Sequence, residues 1–164
     1  HYLVQETDVG GGYHFQALPG SKRRTTRTEQ ASVKLITAGP LRSEIQVKTR
    51  LRVPRMYDRA HKRLAGRTTV EVRSVFTLEA DSDSLKVKTS IHNTANNQRI
   101  RLVLPSGLTS RTVAADASFA VHINHIDKWP ADATQNFHPM RNFVSICDDE
   151  RGMAFLGRGQ HEYE

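Results

Sequence analysis

The stretch Leu41-Arg42-Ser43-Glu44-Ile45-Gln46-Val47-Lys48-Thr49-Arg50-Leu51-Arg52-Val53 decides the fold of this 164-residue chain. Every even position in it is polar, whereas the odd positions are apolar apart from Ser43 and Thr49. Successive side chains of a strand point to opposite faces, so one face of this stretch is expected to meet a core and the other to meet water. The same alternation returns at 70–78 and 85–93. Parallel strands buried on both faces would read as continuous apolar runs, so the three segments predict a meander of long antiparallel strands.

Shorter predicted strands flank this meander, and they are expected at 33–37, 99–104, 118–123, 143–147 and 153–156. The stretches 39–40, 81–84 and 93–97 contain the Gly, Pro, Asn and Asp residues that are typical of turns. We predict a loop at 55–66, the one weakly helical stretch. A long connection is predicted at 127–140, because that segment has no clear period.

Many alternating strands separated by turns indicate an all-β fold, an antiparallel β-sandwich. A chain of 164 residues is long enough to bury a proper core, so we predict a single domain over residues 1–164. The sequence starts without Met on an apolar run and stops directly after a strand-like motif. We therefore expect these residues to be a fragment of a longer polypeptide.

The chain is basic, with 24 Lys and Arg against 17 Asp and Glu and a net charge of +7. A phosphate-bearing ligand or nucleic acid could explain this balance, but a solvated surface is favoured. The cations are spread along alternating strand positions, and only 22–24 and 59–67 form clusters, both in loop-like contexts. We therefore expect no nucleic-acid partner.

Cysteine usage and the lack of glycosylation acceptors bear on the compartment. Cys147 is the only cysteine, and no Asn is followed at the second position by Ser or Thr. Both observations favour a reducing cytoplasm over a secretory route. No window approaches the 18 apolar residues of a membrane span, so no membrane partner is expected.

Three motifs carry a resemblance to a known family. They are Asp8-Val9-Gly10-Gly11-Gly12-Tyr13, then Asn93-Thr94-Ala95-Asn96-Asn97-Gln98-Arg99-Ile100-Arg101-Leu102-Val103-Leu104-Pro105-Ser106-Gly107, and last Asp148-Asp149-Glu150-Arg151-Gly152-Met153-Ala154-Phe155-Leu156 with Glu162-Tyr163-Glu164. Their order and spacing resemble the large β-domain that follows the catalytic barrel in family-38 glycoside hydrolases, the zinc-dependent α-mannosidases. The resemblance covers nearly the whole chain. It departs from the family at Gly11, where the family often has an acid or amide, and at Gly157-Arg158-Gly159, where the family has Asn-Asp-Gly.

The resemblance implies part of a galactose-mutarotase-like super-sandwich within a retaining α-mannosidase. It places the zinc ion and both catalytic carboxylates in the preceding barrel, outside these residues. The fragment alone is therefore expected to be inactive, with no catalytic residue, metal ligand or cofactor of its own. The implied partners are the barrel domain of the same chain and, through the whole enzyme, a mannoside substrate; a homo-oligomer stays open.

The glycine-rich loop is the best site candidate in the sequence. Gly10, Gly11 and Gly12 allow positive φ and close backbone approach, so the loop can carry Tyr13 out over a neighbouring surface. An aromatic ring packs against the C–H groups of a sugar while its hydroxyl forms hydrogen bonds. The resemblance implies that Tyr13 lines the substrate cleft, and structural packing of Tyr13 is the alternative. Asp8 is expected to hold the turn through side-chain to backbone hydrogen bonds.

Other side chains are weaker candidates for a metal-binding, catalytic or sugar-binding role. His122 and His125 are three apart on a predicted strand and would point to opposite faces, which disfavours a shared metal. We predict Cys147 as a buried small residue and Trp129 as a loop anchor rather than a sugar platform. Arg99 and Arg101 share one strand face and are expected to pair with acids across the sheet. The competing function is a stand-alone carbohydrate-binding β-sandwich module.

Overall fold

The computed structural model describes residues 1–11, 14–128, 137–157 and 159–164. The chain folds into two compact units, which are His1–Val103 and Leu104–Glu164. Every strand pairing is antiparallel, and the only helical turns in the described ranges are two short 3₁₀ turns, Thr26–Thr28 and Ile126–Lys128. The predicted all-β antiparallel class is therefore confirmed. The single domain over residues 1–164 stays a prediction, and each unit is described by itself.

The first unit contains two sheets built from seven strands. They are β1 (Tyr2–Thr7), β2 (Arg24–Thr25), β3 (Ala31–Ala38), β4 (Arg42–Asp58), β5 (Arg63–Glu79), β6 (Leu85–His92) and β7 (Gln98–Val103). The larger sheet has the order β3-β4-β5-β6, so the predicted meander is confirmed. The smaller sheet has the order β2-β1-β7.

The core of this unit lies between its two sheets. Leu51 and Val53 of β4 and Val70 and Val72 of β5 are all buried, as their alternation predicts. They form one apolar cluster with Leu3 of β1 and Ala95, and Ile100 of β7 packs against that cluster. The inward-facing side chains of the two sheets thus form one apolar layer between them, as in a sandwich.

The predicted loop at 55–66 is wrong. β4 continues to Asp58 and β5 begins at Arg63, so only four residues turn the chain. Pro54 is tolerated because the pairing of β3 with β4 ends at Thr49, so Pro54 interrupts no hydrogen bond of the β3–β4 ladder. The Asp58 carboxylate accepts hydrogen bonds from two backbone amides of the turn, and Lys62 adopts a φ of 49°. The many cations of this hairpin hide the alternation that its backbone follows.

The second unit contains a four-stranded sheet and a short strand pair. Its strands are β8 (Thr112–Asp116), β9 (Val121–His125), β10 (His138–Pro139), β11 (Phe143–Cys147), β12 (Gly152–Leu156) and β13 (Glu162–Tyr163). The sheet order is β12-β11-β8-β9, and β10 pairs with β13. The predicted strand at 118–123 starts later because Ala117 N–H donates to Ala120 O at 2.8 Å and forms a turn. Within the predicted connection at 127–140, residues 129–136, which include Trp129, lie outside the described residues.

Asp116 joins the end of β8 to the start of β11. Its Oδ1 accepts hydrogen bonds from the backbone N–H groups of Arg141, Asn142 and Phe143 at 3.0, 2.8 and 2.9 Å. Its Oδ2 accepts from Asn142 Nδ2 at 2.7 Å. Partial desolvation raises the pKa of the Asp116 carboxyl, but these hydrogen bonds, led by those from Phe143 and Asn142, outweigh it and hold the pKa well below its usual range.

Asp116→Asn should therefore cost stability in a pH-dependent way. A carboxyl whose pKa falls on folding contributes stability above its unfolded pKa of about 3.9, and that stability is lost as the pH falls toward the folded pKa. The difference in urea midpoint between the protein and Asp116→Asn should be largest near neutral pH and should shrink below about pH 4. Asp83→Asn, in the exposed 81–84 loop, is the control. A difference that stays constant from neutral pH to about pH 3 would contradict this role.

Candidate functional site

The glycine-rich loop leaves the end of β1 and returns beside it. Asp8 and Ala17 form an isolated antiparallel bridge, and Val9 N–H donates to Gln16 O at 2.8 Å. Leu18 N–H donates to Thr7 O at 3.2 Å, which fixes the second end of the loop. Backbone hydrogen bonds therefore hold the two ends of the loop next to each other. Gly12 and Tyr13 lie outside the described residues, so the cleft role of Tyr13 stays a prediction.

Asp8 holds the inside of this loop with one oxygen. Its Oδ1 accepts from Gly10 N at 2.9 Å and from Gln16 N at 3.0 Å, so one carboxylate joins the outgoing and returning segments. Side-chain to backbone bonding of this kind is the usual role of Asp in turns.

Glycine is required at position 10 for a steric reason. A Cβ on Gly10 would lie 2.0 Å from His14 O and 3.0 Å from Gln16 N, and both atoms belong to the backbone. A Cβ on Gly11 would meet no atom within 4 Å. Neither residue is among the glycines of positive φ, so close approach of the returning backbone explains the glycine at position 10.

An arginine from the tip of the β4–β5 hairpin supports the loop from outside. Arg59 Nη2 donates to Gly10 O at 2.6 Å. The hairpin turn itself is held by Asp58, whose Oδ2 lies 2.7 Å from His61 Nδ1. That hydrogen bond is the leading cause that lowers the pKa of the Asp58 carboxyl. The extended hairpin thus brings a charged donor, 49 residues away in sequence, onto the glycine-rich loop.

A buried carboxylate surrounded by three arginines lies at the base of the loop. Glu6, at the end of β1, is 5% exposed. Its oxygens lie 2.6 Å from Arg23 Nε, 2.8 Å from Arg101 Nη2 and 3.4 Å from Arg99 Nη2. Glu6 and Arg99 are cross-strand partners in the β1–β7 ladder, which confirms that these arginines pair with an acid across the sheet. We name Glu6, Arg23, Arg99 and Arg101 the glutamate–arginine cluster.

This cluster also reaches the returning segment of the loop. The guanidinium of Arg99 lies over the ring of Phe15, with its Cζ 3.7 Å from the ring centroid. A cation over an aromatic face is attracted by the ring quadrupole. Asp8, Arg59 and Arg99 thus hold three different parts of the loop, and together they fix the segments that flank Tyr13.

The remaining sequence candidates form no second site in the described ranges. No three His, Cys, Asp or Glu side chains lie close enough there to hold a metal ion, so the described residues do not fit zinc. Cys147 is exposed, contrary to the predicted burial, because it is the last residue of β11. Trp129 and Arg158 lie outside the described residues. Of the helices in the described part of the chain, none has the length and apolar character needed to cross a membrane.

Comparison with known proteins gives this geometry a family context. A protein from Halalkalibacterium halodurans named "Putative mannosylglycerate hydrolase" is 31% identical over 175 residues, which is 96% of this chain and 19% of that protein. Two crystal structures from Enterococcus faecalis share the fold at 21% identity. One is of a protein in glycosyl hydrolase family 38, with a TM-score of 0.89, and the other is of an alpha-mannosidase, with a TM-score of 0.92. Each match covers 99% of this chain, which spans about a fifth of the length of these relatives.

The family itself follows from a match over nearly the whole sequence. The model of the C-terminal domain of glycosyl hydrolases family 38 matches residues 2–164. This match contains the glycine-rich loop and the two later motifs. The chain therefore belongs to glycosyl hydrolase family 38, as the C-terminal domain of that family.

Proposed function

We propose that these residues form the non-catalytic β-domain of a family-38 α-mannosidase, buttressing the catalytic barrel and lining one side of its substrate cleft. The observation that carries this proposal is the family match over residues 2–164. The matched residues include the glycine-rich loop, which Asp8, Arg59 and Arg99 hold at three points. A loop fixed at its flanks is suited to present one side chain at a constant place. Catalytic geometry tolerates little misplacement, so such support matters for rate.

The chemistry of the whole enzyme is proposed as retaining hydrolysis of an α-mannosidic bond. Retaining glycosidases use two carboxyl groups about 5 to 5.5 Å apart, one as nucleophile and one as acid and base. We assign both groups, and the zinc ion that holds the sugar, to the barrel. The relative's name makes mannosylglycerate a substrate to include among the α-mannosides. A bacterial cytoplasmic location is part of the proposal, from the single Cys147 and the lack of glycosylation acceptors.

Within this domain we assign the contact with substrate to Tyr13. Its ring would pack against the C–H face of the mannose, and its hydroxyl would form a hydrogen bond with a sugar hydroxyl. Asp8 and Gly10 shape the loop that presents it. Arg59 and Arg99 support the loop from outside and have no contact with the reacting atoms in this scheme.

The test uses the complete open reading frame that contains these residues. The purified polypeptide should hydrolyse p-nitrophenyl α-mannoside or mannosylglycerate, whereas the 164-residue chain alone should not. Tyr13→Phe and Tyr13→Ala should raise KM and lower kcat/KM in the complete polypeptide. An inactive complete polypeptide, together with mannoside binding by the 164-residue chain alone, would favour the carbohydrate-binding module instead.

Gly10→Ala should lower kcat/KM of the complete polypeptide about tenfold, because a misplaced supporting loop costs rate without touching the chemistry. The new methyl group would collide with His14 O, and the returning segment of the loop must move. The matched control is Gly11→Ala, where a Cβ meets no atom within 4 Å. Equal activity of the two variants would contradict a role for the loop backbone in positioning.

Arg59→Ala should lower kcat/KM about threefold, since one exposed hydrogen bond to a backbone oxygen is lost. Arg59→Lys should recover part of that activity, because lysine keeps the charge and one donor. Arg67→Ala, an exposed arginine on the same hairpin, is the control. If Arg59→Ala and Arg67→Ala have the same kcat/KM, the hydrogen bond to Gly10 does not position the loop.

A further inference from the structure

Arg23 is the exposed member of the glutamate–arginine cluster. Its side chain is 74% exposed, whereas those of Arg99 and Arg101 are 20 and 27% exposed. The two less exposed arginines approach Glu6 Oε2, and Arg23 approaches the other oxygen, Oε1, through its Nε at 2.6 Å. Neither Nη group of Arg23 forms a hydrogen bond with any atom in the described part of the chain. The outer end of this guanidinium is therefore uncommitted.

The backbone around Arg23 is fixed against β1. Arg24 is the cross-strand partner of Gln5, so Arg23 lies beside the next residue of β1. On the other side, Ser21 Oγ donates to Thr7 Oγ1 at 3.2 Å. The ion pair with the cluster carboxylate then fixes the side chain itself. The protein thus holds both the backbone and the inner end of this arginine in place.

The residues next to Arg23 add positive charge to the same place. Lys22, Arg23 and Arg24 are consecutive, and Lys22 is exposed. Arg24 Nη1 donates to Lys22 O at 3.2 Å, which keeps its guanidinium beside this segment. Among the described residues, Glu6 is the only acid that forms an ion pair with any of the three. The local charge therefore favours a negatively charged ligand.

A held arginine with two uncommitted Nη groups is suited to bind a small anionic group. The guanidinium is planar, and its N–H donors match two oxygens of a carboxylate or a phosphate. A side chain that is ordered before binding loses less conformational freedom when the ligand arrives. The chemical class that fits Arg23 is therefore a carboxylate or a phosphate group.

The cluster joins this arginine to the glycine-rich loop. Arg99 Nη2 lies 3.4 Å from Glu6 Oε2, and the Cζ of the same arginine lies 3.7 Å from the centroid of the Phe15 ring. Phe15 follows Tyr13 by two residues in the sequence. Only Glu6 and Arg99 thus stand between Arg23 and the loop that contains Tyr13.

We propose that Arg23 determines specificity by binding an anionic group of the substrate, a carboxylate or a phosphate, next to the mannose that Tyr13 contacts. The inference rests on the proposed function, because it takes the glycine-rich loop to line the substrate cleft. Arg23 has no part in the bond cleavage in this scheme. It adds binding energy for charged substrates alone, so its effect is a preference between substrates. An arginine that only covers Glu6 would affect charged and neutral substrates alike.

The experiment compares charged and neutral substrates with the complete polypeptide. Mannosylglycerate carries a carboxylate on its aglycone, p-nitrophenyl 6-phospho-α-mannoside carries a phosphate on its sugar, and p-nitrophenyl α-mannoside carries no charge. Arg23→Ala should lower kcat/KM at least about tenfold for one of the two anionic substrates, because charge-assisted hydrogen bonds are lost, and less than about twofold for the neutral one. Arg23→Lys should restore part of the loss, since lysine keeps the charge but not the paired donors. Whichever anionic substrate loses rate shows whether the bound anion belongs to the aglycone or to the sugar.

Arg27→Ala is the matched control, because it removes one exposed positive charge four residues away. It should change all three kcat/KM values by less than about twofold. Equal losses for charged and neutral substrates with Arg23→Ala, or no loss for either anionic substrate, would overturn the inference. A polypeptide that hydrolyses the neutral mannoside but neither anionic one would also overturn it, and would leave the proposed function intact.

A second measurement does not depend on hydrolysis. Phenylglyoxal modifies exposed arginines, and peptide mass spectrometry reads the rate at each of them. Mannosylglycerate or mannose 6-phosphate, at about ten times its Kd, should slow the labelling of Arg23 about tenfold. Methyl α-mannoside should not slow it, and Arg27 should be labelled at one rate throughout. Protection of Arg23 by an anionic ligand in a polypeptide that hydrolyses no mannoside supports the anion site while the proposed function fails. Labelling of Arg23 that no anionic ligand slows overturns the inference, whatever the activity.

Discussion

Leu51→Ala is expected to lower the free energy of unfolding by about 2 to 5 kcal/mol. Leu51 is 1% exposed and is among the largest fully buried side chains in the part of the chain that the structure describes. It lies in the cluster that joins the two sheets of the first unit, so its truncation removes apolar contacts with both layers. The loss combines the transfer free energy of the removed atoms with the cost of a cavity that closely packed neighbours cannot fill. Urea unfolding of the 164-residue chain would measure it as a lower midpoint at an unchanged slope.

Leu41→Ala is the matched control for this substitution. Leu41 belongs to the same alternating stretch and the same set of odd positions, but it is 77% exposed. Its truncation should change the free energy of unfolding by less than about 0.5 kcal/mol. Similar losses for Leu41→Ala and Leu51→Ala would mean that the layer over Leu51 does not form in solution.

Leu41 and Leu51 also show which features of the fold the sequence predicts and which it does not. Alternation places Leu41 and Leu51 on one side of the chain, and the pairing of β4 with β5 and of β5 with β6 follows the predicted meander. The extent of burial depends on where a second layer ends, and that layer comes from β1 and β7, distant in sequence. Local periodicity therefore predicts which side chains share a face, but it carries no information on which part of the face is covered.

Strand β1 is not predicted from the sequence, for a related reason. Gln5, Glu6 and Thr7 of β1 are all buried although they are polar, with exposed fractions of 1, 5 and 4%. A strand with polar residues buried on both faces has no apolar alternation to detect. Glu6 finds two of its partners, Arg99 and Arg101, more than 90 residues later in the sequence, on the strand β7 that pairs with β1. Such a cluster depends on strand order, which turn and period signals do not specify.

The sequence predicts where the candidate loop lies, but it predicts only some of the contacts that hold the loop. Asp8 and the glycines indicate a tight turn, and the hydrogen bonds of Asp8 close it. The need for glycine at position 10 arises from the path of the returning chain at His14, which residue types alone do not give. Arg59 is missed because the 55–66 segment reads as a loop. The signal that could have found it is the Asp58 turn at the tip of a long hairpin, since a hairpin tip projects beyond its sheet.

Glu6→Gln is expected to lower the free energy of unfolding by about 3 kcal/mol, the lower end of the range for breaking a buried ion pair. Its carboxylate is the negative centre of the glutamate–arginine cluster, within 3.4 Å of all three guanidinium groups. Glutamine keeps the shape of the side chain but removes the charge, and its amide group turns a donor toward other donors. Because Arg99 and Arg101 are only 20 and 27% exposed, water does not fully replace the lost partner. Urea unfolding near neutral pH measures the change.

Glu71→Gln separates this effect from the loss of an ordinary surface pair. Glu71 Oε2 lies 3.7 Å from Arg50 Nε, and the two side chains are 40 and 78% exposed. Its removal should cost less than about 1 kcal/mol. Salt provides a second distinction, because ions screen exposed charges far more than buried ones. The loss from Glu6→Gln should persist at about 1 M NaCl, where the Debye length is about 3 Å, whereas any loss from Glu71→Gln should vanish. Equal losses at the two positions, or a Glu6 effect abolished by salt, would mean that the cluster is a solvated surface network.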